Sequence, residues 1–184
     1  MTDQKVIDIV TQWIDEFIIG YNICPFASYP FKNDLIQYLV SESTELEDQL
    51  YDLVRLFVLM MSTNEEELSN SFLIFSQDQS RFEDFLIIDD MAEMLLEEYG
   101  FTEHLQVVLF HPEFSYADED PEDPSNLTNK SPYPMIHVLR KKEVQRAIES
   151  HKHTDDIPKR NKELLKDMGK NELMDLYKLI GERK

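Results

Sequence analysis

The segment Ser71-Phe72-Leu73-Ile74-Phe75-Ser76 holds four consecutive apolar residues between two serines. A short apolar run of this kind is typical of a strand that is buried on both faces of a sheet. Residues 36–40, 105–110 and 134–140 also read as strands, with apolar residues predominating in each. The sequence therefore predicts a sheet of about four strands.

Apolar residues recur at helical spacing in the segments that lie between these strands. The first predicted helix covers residues 6–18 and is stopped by Gly20. Thr44 and Ser80 are each followed three residues later by glutamate, which predicts that each caps a helix. The chain after residue 140 is predicted to be helical.

Strands that alternate with helices predict an α/β fold, with α+β as the alternative. We expect a sandwich in which helices flank a mixed sheet and the C-terminus is helical. The sequence contains no repeat and no low-complexity linker, so residues 1–184 are expected to form a single domain.

Charge is distributed unevenly along the chain. It contains 18 Lys and Arg against 37 Asp and Glu, for a net charge of −19. Residues 1–129 carry a net charge of −24, whereas residues 130–184 carry +5. Such an acidic chain lacks the basic footprint that phosphate contacts need, which argues against nucleic-acid binding. Solvation of surface helices is the simplest interpretation of the basic segment; it could also dock onto the acidic body or form the positive wall of a cleft.

The lone cysteine, Cys24, excludes an internal disulfide and any zinc site built from several cysteines. The first residues lack the basic and apolar regions of a secretory signal. No apolar run approaches the ~18–20 residues that a membrane-spanning helix needs. We therefore expect a cytoplasmic protein that does not bind a membrane.

The segment between the last two predicted strands is unusually long for a loop in a compact domain, which indicates a functional role. His111 lies at its start, and His137 lies in the strand that follows it. Antiparallel pairing of the two strands would bring the histidines close together, whereas parallel pairing would place Arg140 beside His111. Ligand sites in open α/β sheets lie beyond the carboxyl ends of parallel strands, so we expect a polar site at this edge.

Cys24 follows the first predicted helix, in a loop where its thiol is accessible. A thiol becomes a nucleophile when a partner such as histidine stabilises the thiolate, and no such partner is adjacent in sequence, so core packing is the simpler interpretation. The catalytic alternative combines Cys24 and His111 with Asn126 or Asn129. The pair of histidines in residues 151–153 is more typical of an exposed helix end than of a metal site.

Five motifs in this sequence resemble the domain of unknown function 1415 family. They are Asn22-Ile23-Cys24-Pro25-Phe26-Ala27, Phe110-His111-Pro112, Pro121-x-Asp123 with Asn126, Thr128-Asn129-Lys130-Ser131-Pro132-Tyr133-Pro134-Met135-Ile136-His137-Val138-Leu139-Arg140, and Ile157-Pro158-x-x-Asn161. The family pattern has arginine at the position of Lys130 and a Gly-Thr pair near Asp118 and Glu119. The resemblance implies a mostly bacterial, cytoplasmic setting and favours one site built from the motif residues. It implies no reaction, because the family has none established.

We expect a small-molecule enzyme or a ligand-binding protein. His111 is the leading candidate for a general acid or base, with His137 and Cys24 as further catalytic candidates. Lys130 and Arg140 are expected to hold an anionic group of the ligand. The other residues expected to contact the ligand are Asn126, Asn129, Ser131 and Tyr133.

Two alternatives belong to other classes. The first is a non-catalytic protein whose acidic body docks a basic partner, an interaction that salt would weaken. The second is a transition-metal site formed by His111 and His137, with or without Cys24. The sequence leaves the cofactor, the substrate and the oligomeric state open.

Overall fold

β2 (Asn70–Phe75) is buried along its whole length inside a four-stranded sheet with the order β1-β2-β4-β3. The computed structural model describes residues 1–78, 80–150 and 154–181. The other strands are β1 (Ile36–Ser41), β3 (Leu105–Phe110) and β4 (Met135–Arg140). β1 runs parallel to β2, whereas β4 runs antiparallel to both β2 and β3. The predicted α/β fold with a mixed sheet of about four strands is therefore confirmed.

Helices cover both faces of the sheet. One face is covered by α3 (Leu46–Ser62) and α4 (Phe82–Glu98). The other is covered by α1 (Asp3–Trp13), a π-helix (Ile14–Ile19), α6 (Ile157–Asp167) and α7 (Lys170–Gly181). The described residues also form α2 (Ser28–Lys32), α5 (Lys141–Ser150) and two 3₁₀ segments, Pro124–Thr128 and Thr154–Asp156.

Side chains alternate between the two faces along each strand. The face toward α3 and α4, which we call the packed face, carries Leu73, Phe75, Leu105, Ile136 and Val138. The opposite face, which we call the cavity face, carries Phe72, Ile74, Phe110 and Met135. The two apolar cores therefore share one sheet but have no strand residue in common.

The first helix differs from its prediction. α1 ends at Trp13 and the chain continues as a π-helix, whose wide turn is closed by the N–H of Gly20 bonding to the carbonyl of Asp15 at 2.9 Å. A Cβ atom at Gly20 would clash with the carbonyl oxygen of Glu16, so this position requires glycine. Gly20 thus allows the backbone of the wide π-helical turn to lie close to the carbonyl of Glu16, where a larger residue would not fit.

The caps predicted at Thr44 and Ser80 are wrong, although the helices lie where the apolar pattern places them. α3 and α4 follow Glu45 and Arg81, and neither of these side chains caps its helix. The turn before α4 is instead held by Asp78, whose Oδ1 accepts the N–H of Ser80 at 2.7 Å.

Among the helices of the described residues, none combines the length and the apolar character needed to cross a lipid bilayer. The histidines of residues 151–153 lie outside the part of the chain that the structure describes.

Candidate functional site

A cavity of about 300 Å³ lies between the cavity face of the sheet and the segments that cover it. Its floor is formed by β2, β3 and β4, and its walls by the π-helix, residues 23–30 and α6. The lining is mainly apolar. The polar side chains that border it are Cys24, Asn70, Tyr116, Thr128, Asn129, His137 and Asn161. The cavity lies over the sheet face and reaches the start of β2, whereas the sequence predicts a site beyond the carboxyl ends of the parallel strands.

His137 lies at the centre of the floor, because β4 pairs it with Phe72 on one side and Val108 on the other. Its ring stacks on Phe72, with the two ring centroids 4.0 Å apart and 7° between the planes. Nε2 lies 2.9 Å from Oδ1 of Asn70. Burial lowers the pKa of His137 to about 3, so the imidazole is neutral at physiological pH.

Cys24 borders the same cavity from the segment that follows the π-helix. The chain turns there through Asn22, which has a left-handed φ of 53°, and the N–H of Ile23 bonds to the carbonyl of Ile18 at 2.9 Å. Burial raises the pKa of the Cys24 thiol, although backbone N–H groups of Phe26 and Ala27 oppose the rise. The sulfur is therefore a neutral thiol rather than a preformed thiolate.

α6 holds the Cys24 segment in place. Asn161 is 5% exposed, and its Nδ2 donates to the carbonyl of Ile23 at 2.7 Å. Arg160 donates to the carbonyl of Asn22 and, at 2.7 Å, to Oδ1 of Asn161. The motif at residues 157–161 is thus tied to the motif at residues 22–27, and Asn161 also borders the cavity.

The segment between β3 and β4 forms another wall. The Tyr116 hydroxyl lies 2.8 Å from Oγ1 of Thr128 and 3.3 Å from Oδ1 of Asn129. Asn129 also donates through Nδ2 to the carbonyl of Leu109 at 3.3 Å. These three side chains border the cavity, as the sequence predicts for Asn129 only.

Asn126 is expected to contact the ligand but is used within the segment itself. It is 1% exposed, and its Oδ1 accepts the N–H of Tyr116 at 3.0 Å. Its Nδ2 donates to the carbonyls of Asp120 at 2.9 Å and Pro121 at 3.2 Å. Asn126 therefore closes the loop and places Tyr116 without itself lining the cavity.

Three further residues expected at the site lie outside the cavity lining. Ser131 is fully buried, and its hydroxyl donates to the carbonyl of Tyr133 at 2.6 Å. Tyr133 packs in the core of the cavity face, with its hydroxyl 3.3 Å from Sδ of Met1. Lys130 places its ammonium 5.9 Å from the centroid of the Tyr177 ring, and burial lowers the pKa of Lys130.

His111 lies on the packed side, away from His137. It follows Phe110, whose side chain belongs to the cavity face, and its own ring contacts Phe82 and Phe85 of α4 at centroid distances of 5.6 and 5.3 Å. Its Nδ1 accepts the N–H of Glu113 at 3.0 Å. β3 and β4 do pair antiparallel, but strand alternation separates the two histidines.

Arg140 caps the C-terminus of α3. It donates to the carbonyls of Leu68 at 2.9 Å, Met60 at 2.7 Å and Thr63 at 2.8 Å. This guanidinium satisfies backbone carbonyls that the helix end leaves without partners. Arg140 does not line the cavity, so the structure brings neither of the two cations expected to hold an anion into it.

The metal alternative needs His111 and His137 together, and they lie on opposite faces of the sheet. Within residues 1–78, 80–150 and 154–181, no group of three or more His, Cys, Asp and Glu side chains could hold a metal ion.

The basic C-terminal segment docks onto the acidic body, one of the arrangements that its charge predicts. Lys162 bonds to Glu119 at 3.0 Å, and Lys166 lies 3.3 Å from Glu119 and 3.1 Å from Asp123. The Lys162 ammonium also lies 4.3 Å from the centroid of the Tyr116 ring. We call these contacts the lysine clamp; they fasten α6 to the wall that contains Tyr116.

Sequence reasoning missed Trp13, Asn70, Tyr116 and Thr128, all of which border the cavity. Tyr116 and Thr128 lie in the long segment that the sequence marks as functional. The helical apolar spacing that includes Trp13 is the same for any residue of the core, so it does not distinguish a residue that borders a cavity. No sequence pattern indicates Asn70, because its role depends on the pairing of β2 with β4.

Comparison with known proteins gives one match. The family model described as "Protein of unknown function (DUF1415)" matches residues 5–175. No curated protein and no solved structure matches the chain. The match includes the residues quoted above from all five motifs, and each motif contributes a side chain to the cavity or to its supports. The chain therefore belongs to the DUF1415 family of proteins of unknown function.

Proposed function

We propose that this protein binds a small, largely apolar and uncharged molecule in the cavity on the cavity face of the sheet. The observation that carries the proposal is the convergence of Cys24, Asn129, His137 and Asn161, from four separate segments, on one mainly apolar space. Pockets that bind small molecules combine apolar walls with a few polar groups in this way. The volume of about 300 Å³ is at the lower end of their usual range, which favours a small ligand.

The charge of the lining supports an uncharged ligand over the anion expected from the sequence. None of the described residues that border the cavity is Lys, Arg, Asp or Glu. A buried charge without a partner is costly, so an ionised ligand would lose more hydration than this lining returns.

The chemistry of the polar groups favours binding over acid–base catalysis. A histidine whose pKa is about 3 is a weak base at neutral pH, and a thiol whose pKa is raised is a weak nucleophile. Both are suited to hydrogen bonding with a ligand. The family resemblance favours a cytoplasmic location for this binding.

Docking of a basic partner on the acidic body has less support, because some of its acidic side chains already form ion pairs with lysine or arginine of the same chain. Glu119 and Asp123 are held by the lysine clamp, and Glu65 lies 2.8 Å from Arg146.

Trp13 offers a direct test, because it is the single tryptophan of the chain and borders the cavity. Titration with benzyl alcohol, benzoate and benzylamine compares three ligands that share one ring and are neutral, negatively charged and positively charged at neutral pH. We expect benzyl alcohol to change Trp13 fluorescence in a saturable way, with at least tenfold weaker binding of both ions. Absence of saturable binding, or tightest binding of an ion, would refute the proposal.

A cavity-filling variant separates this binding from contact with other surfaces. Val108→Phe places a ring into the cavity and is expected to abolish the benzyl alcohol response. Val58→Phe, at a position that is 47% exposed on α3, is the matched control and should leave the response unchanged. Circular dichroism of both variants shows whether the fold is retained.

A further inference from the structure

A chain of hydrogen bonds leads from the cavity floor to the outside of the protein. It starts at His137 Nε2, which lies 2.9 Å from Asn70 Oδ1. Nδ2 of Asn70 lies 3.3 Å from Oγ of Ser69, and this hydroxyl lies 2.9 Å from Oε2 of Glu143. Asn70 is 5% exposed and Ser69 is 8% exposed, whereas Glu143, in α5, is partly exposed.

The direction of these bonds follows from the far end of the chain. Burial raises the pKa of Glu143, whereas the Ser69 hydroxyl and the nearby Arg140 charge favour its ionised form. An ionised carboxylate can only accept hydrogen bonds, so Ser69 donates its hydroxyl proton to Glu143. The Ser69 oxygen then accepts from the amide N–H of Asn70. The amide orientation of Asn70 is thereby set, with its carbonyl oxygen facing His137. Nε2 of His137 must therefore carry the proton.

A neutral imidazole with a proton on Nε2 keeps its lone pair on Nδ1. Among the described residues, Nδ1 of His137 has no hydrogen-bond donor, and it is absent from the buried atoms that lack a partner. His137 borders the cavity, so Nδ1 is an acceptor that a molecule in the cavity can reach.

The acceptor at Nδ1 sets what a ligand needs in order to bind there. A hydroxyl or a carboxamide can donate a hydrogen bond to it, whereas an ether or an ester has only acceptor atoms.

We infer that Glu143, Ser69 and Asn70 are positioning residues that hold His137 as the Nε2–H tautomer, so that the cavity selects uncharged alcohols or amides on an apolar frame. This inference rests on the proposed function and names the ligand class of the same site. Ligands with acceptor groups only would leave Nδ1 of His137 without a donor.

The first test compares benzyl alcohol with benzyl methyl ether, which has the same ring but no donor. We expect roughly tenfold weaker binding of the ether, the size of one net hydrogen bond. Equal affinity of the two probes would overturn the inference and leave the proposed function intact. Absence of binding by both would overturn the proposed function as well.

Ser69→Ala cuts the chain at a residue that does not line the cavity. It should bring the alcohol-to-ether ratio close to one, and Ser69→Thr should restore it because the hydroxyl returns. The control is Asn171→Leu, an exposed position on α7, which should keep the wild-type ratio. An unchanged ratio in Ser69→Ala would contradict the positioning role.

The tautomer can be read without any ligand from the side-chain ¹⁵N spectrum, with the His137 signals assigned through His137→Gln. We expect a single Nε2–H tautomer in the wild-type protein at neutral pH and a mixture in Ser69→Ala. A wild-type spectrum of the Nδ1–H tautomer would overturn the inference.

Discussion

The two faces of the sheet are covered in different ways, and the cavity that His137 borders lies on one of them. The packed face meets α3 and α4, two helices of 17 residues each whose apolar stripes fill the space above the strands. The cavity face meets shorter elements, including the π-helix and α6, and residues 22–27 between them. The two long regular helices fill the space above the central strands and leave a groove of about 460 Å³ only beside the edge strand β1, among the described residues. The cover assembled from short segments instead leaves a cavity over the middle of the sheet, lined in part by their polar groups.

The largest expected effect comes from comparing a leucine on each side. Leu53 on α3 is fully buried at the packed face, and Leu139 is half-buried at the cavity. We expect Leu53→Ala to lower the free energy of unfolding by about 2–5 kcal/mol, because a new cavity opens in a filled core. Leu139→Ala should cost less, because the cavity already deprives this side chain of partners on one side. Urea denaturation measures both; equal losses would contradict the difference between the faces.

The next effect concerns Arg140, which the sequence places at the ligand and the structure places at the end of α3. Arg140→Ala leaves three carbonyls without their donor, so we expect about 1–3 kcal/mol of destabilisation. Benzyl alcohol affinity should stay within twofold of the wild-type value, roughly the noise of such comparisons. If Arg140→Ala kept the wild-type stability but no longer bound benzyl alcohol, Arg140 would be a ligand-binding residue and the prediction would be contradicted.

The pH dependence of stability probes the floor of the cavity. The pKa of His137 falls from its ordinary value of 6.5 to about 3 on folding, so between these values the unfolded chain binds a proton that the folded protein does not. Stability therefore decreases as the pH falls through this window, by roughly 3 kcal/mol between neutral pH and pH 4. Urea titrations at several pH values should show a flatter profile for His137→Gln. The same change at His104, an exposed histidine, should leave the slope as it is.

The smallest expected effect tests the lysine clamp. Lys166→Gln removes its contacts to Glu119 and Asp123, and we expect a small fall in the melting temperature at low salt. At about 1 M salt, where the screening length is ~3 Å, the difference from the wild-type protein should vanish. Lys178→Gln removes a comparable exposed pair within α7 and serves as control for the salt series. A benzyl alcohol affinity that depends on salt only when Lys166 is present would link the clamp to the cavity wall.

The strands and the longer helices could be predicted because local pattern suffices for them. The apolar run of residues 72–75 is buried on both faces of β2, as such runs are, and α5 occupies residues 141–150 as expected. The π-helix could not be predicted, since the apolar spacing of residues 14–18 fits an ordinary helix equally well. α2 lies in a segment that the sequence predicts as a loop, because Pro30 and Pro25 break the helical pattern.

The sequence predicts which residues border the cavity only where their position in a strand or loop determines the side of the sheet that they face. Cys24, His137 and Asn129 do border the cavity. His111 lies outside the cavity lining because it follows Phe110 by one residue, and a single step along an extended chain reverses the face. The partners of Arg140 are 72–80 residues away in sequence, and no spacing rule indicates them.

The attachment of α6 also determines the order in which the molecule can be completed. The bond from Asn161 to Ile23 joins residues 138 positions apart, so it forms only after the whole sheet has been synthesised. Contacts between such distant residues are slow to form because a long loop must close first. Until α6 arrives, the Cys24 segment lacks the bond from Asn161, and the cavity lacks the wall that α6 supplies. The space that is suited to a ligand in the mature protein is therefore, in the nascent chain, a mainly apolar cleft with one wall missing, and exposed apolar surface of this kind is prone to aggregation.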